Sequence, residues 1–234
     1  MQTKEDLRQE LSARWQELWP QGVKPGRPPM FDGAGRAAER LRRLKEYRMA
    51  RVVAITPEPC LLQARINALN DNKSLLATTP GLKQGLVRIT PPDVPLPLRS
   101  RALRGWSLAE AGHQVRLPTS RPGKAELLVG ATLAVDRRGR ILGDGRGLLD
   151  LTWALLIHLK VISAETPVAV LVHDYQVMDE LPDEPWDLWA DLVVTPTRLL
   201  RMAGVRRPTA RLEDLPDRLA SLPVVQAALG QALG

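Results

Sequence analysis

What most constrains this chain is a recurring alternation of short, unbroken apolar runs with helical or proline-rich stretches. The runs are RVVAIT (51–56), SLLAT (74–78), LVRI (86–89), ELLVGATLAVD (126–136), VAVLVH (168–173) and DLVVT (191–195). A strand with one face in water alternates apolar and polar residues. These runs do not, so both of their faces are expected to be covered. Between them, CLLQARINALND (60–71) and LLDLTWALLIHLKV (148–161) read as helices, and the second is apolar nearly all round. Such an order predicts an α/β fold, a three-layer sandwich with a mostly parallel sheet.

The flanks add helices. Leu7, Leu11, Trp15 and Leu18 recur along one face of a helix over 4–18, and Lys4 and Arg8 share another stripe of it. Residues 19–33 hold four prolines and form a loop or arm. A helix over 34–48 turns Ala37, Ala38, Leu41 and Leu44 inward. Four further prolines exclude a central strand over 90–97. Residues 1–200 are expected as one α/β domain, with 201–234 a tail that is helical around 213–221 and 224–233.

Composition narrows the class. One cysteine, Cys60, cannot form an intrachain disulfide, and no apolar run reaches the roughly 18 residues of a membrane span. The N-terminus lacks the apolar stretch of a secretion signal, so a cytoplasmic location is expected. The 33 Lys+Arg against 26 Asp+Glu give a net charge of +7. The excess sits in the first half: residues 1–124 carry 22 against 11, and residues 125–234 carry 11 against 15. That distribution keeps a polyanionic partner in view.

The stretch richest in chemistry is ILGDGRGLLD (141–150), between a strand with its turn and a helix. Gly143, Gly145 and Gly147 alternate there. Glycines permit positive φ and close backbone approach, and exposed N–H groups beside a helix start suit a phosphate. The spacing matches neither a Walker A loop nor the dinucleotide fingerprint. A tight turn that binds nothing fits the glycines equally well.

In context, ATLAVDRRGRILGDGRGLLD resembles the signature of the 5-formyltetrahydrofolate cyclo-ligase (methenyltetrahydrofolate synthetase) family. VHDYQVMDELPDEPWDLWADLVVTP resembles that family's following block, and Lys4-x-x-x-Arg8 its beginning. The segments around GRPPMFDGAGRAA and HDYQVMDE are similar to the divergent methenyltetrahydrofolate synthetase domain-containing branch.

The resemblance implies ATP and Mg²⁺ as cofactors and a reduced folate as partner. It places Lys4, Arg8, Gly143, Gly145, Arg146 and Gly147 around phosphates, and Asp150 and Asp191 at magnesium. Solvated helix charges, a helix cap and a strand start are the plain alternatives for Lys4 and Arg8, Asp150 and Asp191 respectively. Departures from the family pattern are Leu148-Leu149 for a tyrosine pair, Asp144 in the loop, and Ile141 where an arginine is usual. The family's acidic contact to folate has no counterpart around Cys60–Arg65. No catalytic residue is assigned. Expected function is the ATP-dependent conversion of 5-formyltetrahydrofolate to 5,10-methenyltetrahydrofolate or a related phosphoryl-activated reaction. The alternative is a non-catalytic nucleotide-binding paralogue, regulatory or in another cofactor pathway such as thiamin. Nucleic acid is a weaker partner, since nine aromatics leave few to stack bases.

Overall fold

The computed structural model describes residues 3–22, 24, 27–117, 122–208 and 211–230. Helix α1 (Lys4–Leu18) starts at Thr3, whose side chain and that of Asp6 cap each other's backbone N–H groups. It buries Leu11 and Trp15, and the Trp15 indole donates to the Leu133 carbonyl at 3.1 Å. The single helix expected over 34–48 is two, α2 (Ala34–Arg42) and α3 (Lys45–Met49), because Leu44 is extended and restarts the chain. Strand β1 (Val52–Ile55) leads through a short turn into α4 (Leu62–Asn70). Then come β2 (Ser74–Thr78), β3 (Leu86–Ile89), the short α5 (Arg99–Ala102) and β4 (His113–Gln114).

The run 126–136 is not one strand. Strand β5 (Leu127–Gly130) belongs to the main sheet, whereas β6 (Ala134–Asp136) pairs with β7 (Ile141–Leu142) and β9 (Val177–Met178) in a small second sheet. The crossing is held by side chains instead of a ladder. The Thr132 hydroxyl donates to Leu142 O at 2.6 Å, and the Gln176 amide donates to Thr132 O at 2.8 Å and Leu133 O at 3.1 Å. Gln176 thereby satisfies the Thr132 carbonyl, while Leu142 O also accepts the Leu133 N–H at 3.1 Å and Leu133 O the Trp15 indole.

Helix α6 (Leu148–His158) ends before residue 161, the chain turning at Lys160 with φ 56°. After β8 (Val168–Leu171) and β10 (Leu192–Val194), β11 (Leu199–Arg201) returns antiparallel. Among the described residues the tail carries the short helices α7 (Asp217–Ala220) and α8 (Pro223–Ala228), and part of the helix expected over 224–233 lies outside them.

The main sheet runs β11-β10-β8-β5-β1-β2-β3-β4, parallel from β10 to β2 and antiparallel at both edges. The strand expected over 86–89 is one of the antiparallel ones. Period-two alternation sends Val53 and Ile55 toward α1, α2 and α4, and Ala54 toward α6 and the tail. Each face is covered, which makes the three-layer α/β sandwich. From β1 the chain winds outward to β2 and later resumes on the other side at β5. That reversal opens a crevice at the carboxyl ends of β1 and β5, where open α/β sheets receive ligands.

Candidate functional site

A cavity of about 660 Å³ fills this crevice. Residues far apart in sequence converge on it: Lys4 and Arg8 from α1, Glu58 after β1, Gly143, Asp144, Gly145 and Gly147 of the glycine loop, and Asp150 of α6. Spacing four apart does put Lys4 and Arg8 on one stripe. Arg8 donates from Nε to Gly143 O at 3.0 Å, and the place a Gly145 Cβ would occupy lies 3.4 Å from the Arg8 side chain. Gly145 and Gly147 have φ of +79° and +66°, a backbone that L side chains resist. Gly147 begins α6 without any side-chain cap, so its first N–H groups are presented beside the loop.

The charges are largely matched within the cavity. Lys4 Nζ meets Glu184 at 2.7 Å and also contacts Asp187. Arg8 pairs with Glu5 at 3.2 Å. Asp150 is half-buried in the cavity wall, and its Oδ1 accepts the Leu188 N–H at 2.9 Å. Burial pushes its carboxyl above the ordinary range; the nearby Asp187 charge adds to the rise, and the Leu188 bond opposes it.

Two expected site residues are placed elsewhere. Arg146 does not line the cavity: its guanidinium folds back onto Asp144 (Nε to Oδ2 2.8 Å), and its N–H bonds Asp144 Oδ1 at 3.1 Å. Asp191 stands at the amino end of β10, the opposite end of the parallel sheet. There its Oδ2 accepts the Val168 N–H and the Arg207 guanidinium, each at 2.7 Å. Asp191 therefore does not line the cavity, although Leu188, three residues before it, bonds Asp150.

Glu58 is the residue that motif reading passed over. It sits between Pro57 and Pro59, two positions before Cys60, and one wall of the cavity is its side chain. The residue is half-buried, yet Oε2 is fully enclosed with no hydrogen-bond partner; burial pushes the carboxyl up, and a hydrogen bond with the Thr56 side chain opposes the rise. Beneath it Arg65, itself buried, donates to Thr56 O at 2.6 Å, Glu58 O at 3.2 Å and Leu103 O at 3.0 Å. Burial lowers that guanidinium to about 10. The only sequence signal was an acid bracketed by prolines at a strand's carboxyl end.

Several further polar and aromatic residues make local contacts. His173 Nδ1 accepts the Tyr175 N–H and its ring meets Trp19 edge-on, while Asp174 is bound by Thr195, Thr197 and Arg198. His158 bridges to the tail at Ala228 O, 3.2 Å away. Trp186 lines the cavity and is 53% exposed, whereas Trp189 lies under Arg206.

The fold and this crevice define a three-layer α/β protein with its ligand cavity beside a glycine loop at the strand carboxyl ends. Residues 1–196 match the 5-formyltetrahydrofolate cyclo-ligase family, and the chain belongs to that family. It is 34% identical over 218 residues to the methenyltetrahydrofolate synthase domain-containing protein of Bos taurus, covering 88% of this chain and 55% of that one. The 5-formyltetrahydrofolate cyclo-ligase of Mycolicibacterium smegmatis is 35% identical over 111 residues, 45% of this chain and 54% of that one. The chain spans about half the length of the curated relatives it matches. The solved 5,10-methenyltetrahydrofolate synthetase of Aquifex aeolicus shares the fold, with a TM-score of 0.57 at 18% identity over 88% of this chain and 96% of that one. Among the described residues no helix is long and apolar enough to cross a membrane.

Proposed function

We propose that the chain binds ATP with Mg²⁺ and uses it to close 5-formyltetrahydrofolate to 5,10-methenyltetrahydrofolate. The observation that carries this is the gathering of Lys4, Arg8, the 143–147 loop, Asp150 and Glu58 at one crevice. In the reaction, the formyl oxygen attacks the γ-phosphorus and ADP leaves. N10 then adds to the activated carbon and gives up its proton to solvent, and inorganic phosphate departs with the former formyl oxygen. The protein's part is positioning and charge neutralisation.

Chemistry on the cavity wall supports the metal. Its described lining holds three cations, Lys4, Arg8 and Arg218, against five carboxylates, so a triphosphate enters favourably only with added positive charge. Asp150 and Asp187, oxygen donors whose like charges strain Asp150, would hold Mg²⁺; few protein ligands suffice, because phosphates and water complete its shell. When bound, the ion would neutralise charge on the transferring phosphate. Lys4 and Arg8 orient phosphate oxygens, and the loop N–H groups cradle them. Glu58, with an unpartnered oxygen, accepts hydrogen bonds from the N–H edge of a pterin and excludes ligands lacking donors there.

A second reading rests on the Asp144–Arg146 pair and on Leu148-Leu149, whose side chains supply no hydroxyl to the wall. It is a paralogue that binds nucleotide without turnover. Incubation with ATP, Mg²⁺ and 5-formyltetrahydrofolate separates the two. Folate-dependent ADP release with rising methenyl absorbance is expected; intact ATP binding without product at high protein concentration refutes the cyclo-ligase and leaves the paralogue.

A further inference from the structure

The segment after residue 196 lies outside the family match, yet it builds one wall of the cavity with Leu215, Pro216, Arg218 and Leu219. Its placement follows from packing. Leu212, Leu219, Val224 and Val225 are buried in the same apolar cluster as Leu151, Trp153 and Leu155 of α6. The Leu219 Cδ1 lies 3.4 Å from where a Gly147 Cβ would be. Leu219 therefore anchors its neighbour, Arg218, one step from the glycine loop.

We infer that Arg218 is an anion-binding residue of this cavity, a cation supplied by the tail to the phosphates of a polyphosphate-bearing ligand. The inference rests on the nucleotide reading of the site. Its first support is charge: the other lining cations, Lys4 and Arg8, already have carboxylate partners, while Arg218 has no ion pair among the described residues. Among the described residues its guanidinium donates to carbonyls, Gly145 O at 3.4 Å and Arg146 O at 3.2 Å, long bonds that a phosphate oxygen readily displaces. The second support is substitution of role. Arg146, the loop's own arginine, is turned back onto Asp144, and Arg218 brings a guanidinium to the same loop from outside it. An exposed arginine with a buried neighbour combines a fixed backbone with a head free to re-aim.

The test titrates ATP with Mg²⁺, and separately inorganic tripolyphosphate, into the full chain, read by fluorescence of the cavity tryptophans Trp153 and Trp186. Wild type, Arg218→Met, Arg218→Lys and Lys4→Met are compared. Arg218→Met is expected to weaken both ligands about ten- to hundredfold, with most of the affinity regained in Arg218→Lys. It should also flatten the salt dependence of tripolyphosphate binding, since one ion pair is gone. An unchanged affinity in Arg218→Met beside a weakened Lys4→Met overturns the inference and leaves the nucleotide reading in place. So does a lowered thermal midpoint with the salt dependence intact, which marks a purely structural clamp on the loop. Arg218-dependent binding of tripolyphosphate without any binding of ATP removes the nucleotide reading and keeps this one. A wild type that binds neither ligand removes both.

Discussion

Replacing Glu58 with glutamine separates what this residue costs the fold from what it gives the site. Its Oε2 is enclosed without a hydrogen-bond partner, and its carboxyl is pushed above the ordinary value of 4.5 by burial. An unsatisfied buried polar group costs about 1–3 kcal/mol, more when charged. The amide removes the charge but keeps a polar atom there, so about 1–2 kcal/mol of the cost is relieved. For a chain of this size each kcal/mol moves the melting temperature by about 2–4 °C, so Glu58→Gln should melt about 2–8 °C higher at neutral pH. The sign with pH is fixed too. A carboxyl whose pKa is raised by folding favours the protonated native state, so its contribution falls as pH climbs from 4.5 through the raised value. The wild type should lose its stability disadvantage relative to Glu58→Gln toward pH 4 and show it fully above the folded pKa. Calorimetric melting of both proteins across pH 4–8, with and without ligands, reads this. Reduced-folate affinity should fall at least about tenfold, while affinity for ATP with Mg²⁺ stays put. A variant that melts lower at every pH, or that binds folate unchanged, refutes the reasoning.

Asp150→Ala should abolish the Mg²⁺-dependent part of nucleotide binding, measured by titration with and without chelator; unchanged affinity sinks its metal role. Asp191→Ala leaves the Val168 N–H and Arg207 without their shared acceptor, so a loss of about 1.5–3 kcal/mol in denaturant unfolding is expected with nucleotide affinity intact. Binding that collapses in a folded Asp191→Ala protein returns Asp191 to the site. Gly147→Ala forces a side chain into a left-handed backbone against Leu219, costing about 1–2 kcal/mol and weakening ATP; a neutral melting curve counts against that strain.

Period and apolar continuity exposed most of the sheet, because strands covered on both faces leave runs such as 51–56 and 168–173 that little else explains. The same property hid where 126–136 changes sheets: both halves are apolar, and the crossing depends on Thr132 and on Gln176, some forty residues away. The split of 34–48 turns on one extended residue, Leu44, inside a run that keeps helical spacing. Within the site, Lys4, Arg8 and the glycines were legible because they recur at fixed offsets in recognisable blocks. Arg146 and Asp191 stand outside the cavity lining, because an ion pair and a sheet direction, neither written in local spacing, decide where a side chain points. Glu58 has no motif at all, and its place on the cavity wall appears only when β1 and β5 open the crevice beside it.

The glycine loop is gripped from two sides, by Arg8 near one end of the described chain and by Arg218 near the other. Without ligand, α1 and the tail are expected to open separately, as terminal elements do. A ligand lodged between them links the two motions, since release of either arginine would expose it. Amide exchange in α1 and in α7 should therefore slow together on ligation, by an amount tied to binding strength and not to how much local surface each covers. The loop then works as a latch whose two bolts are more than two hundred residues apart.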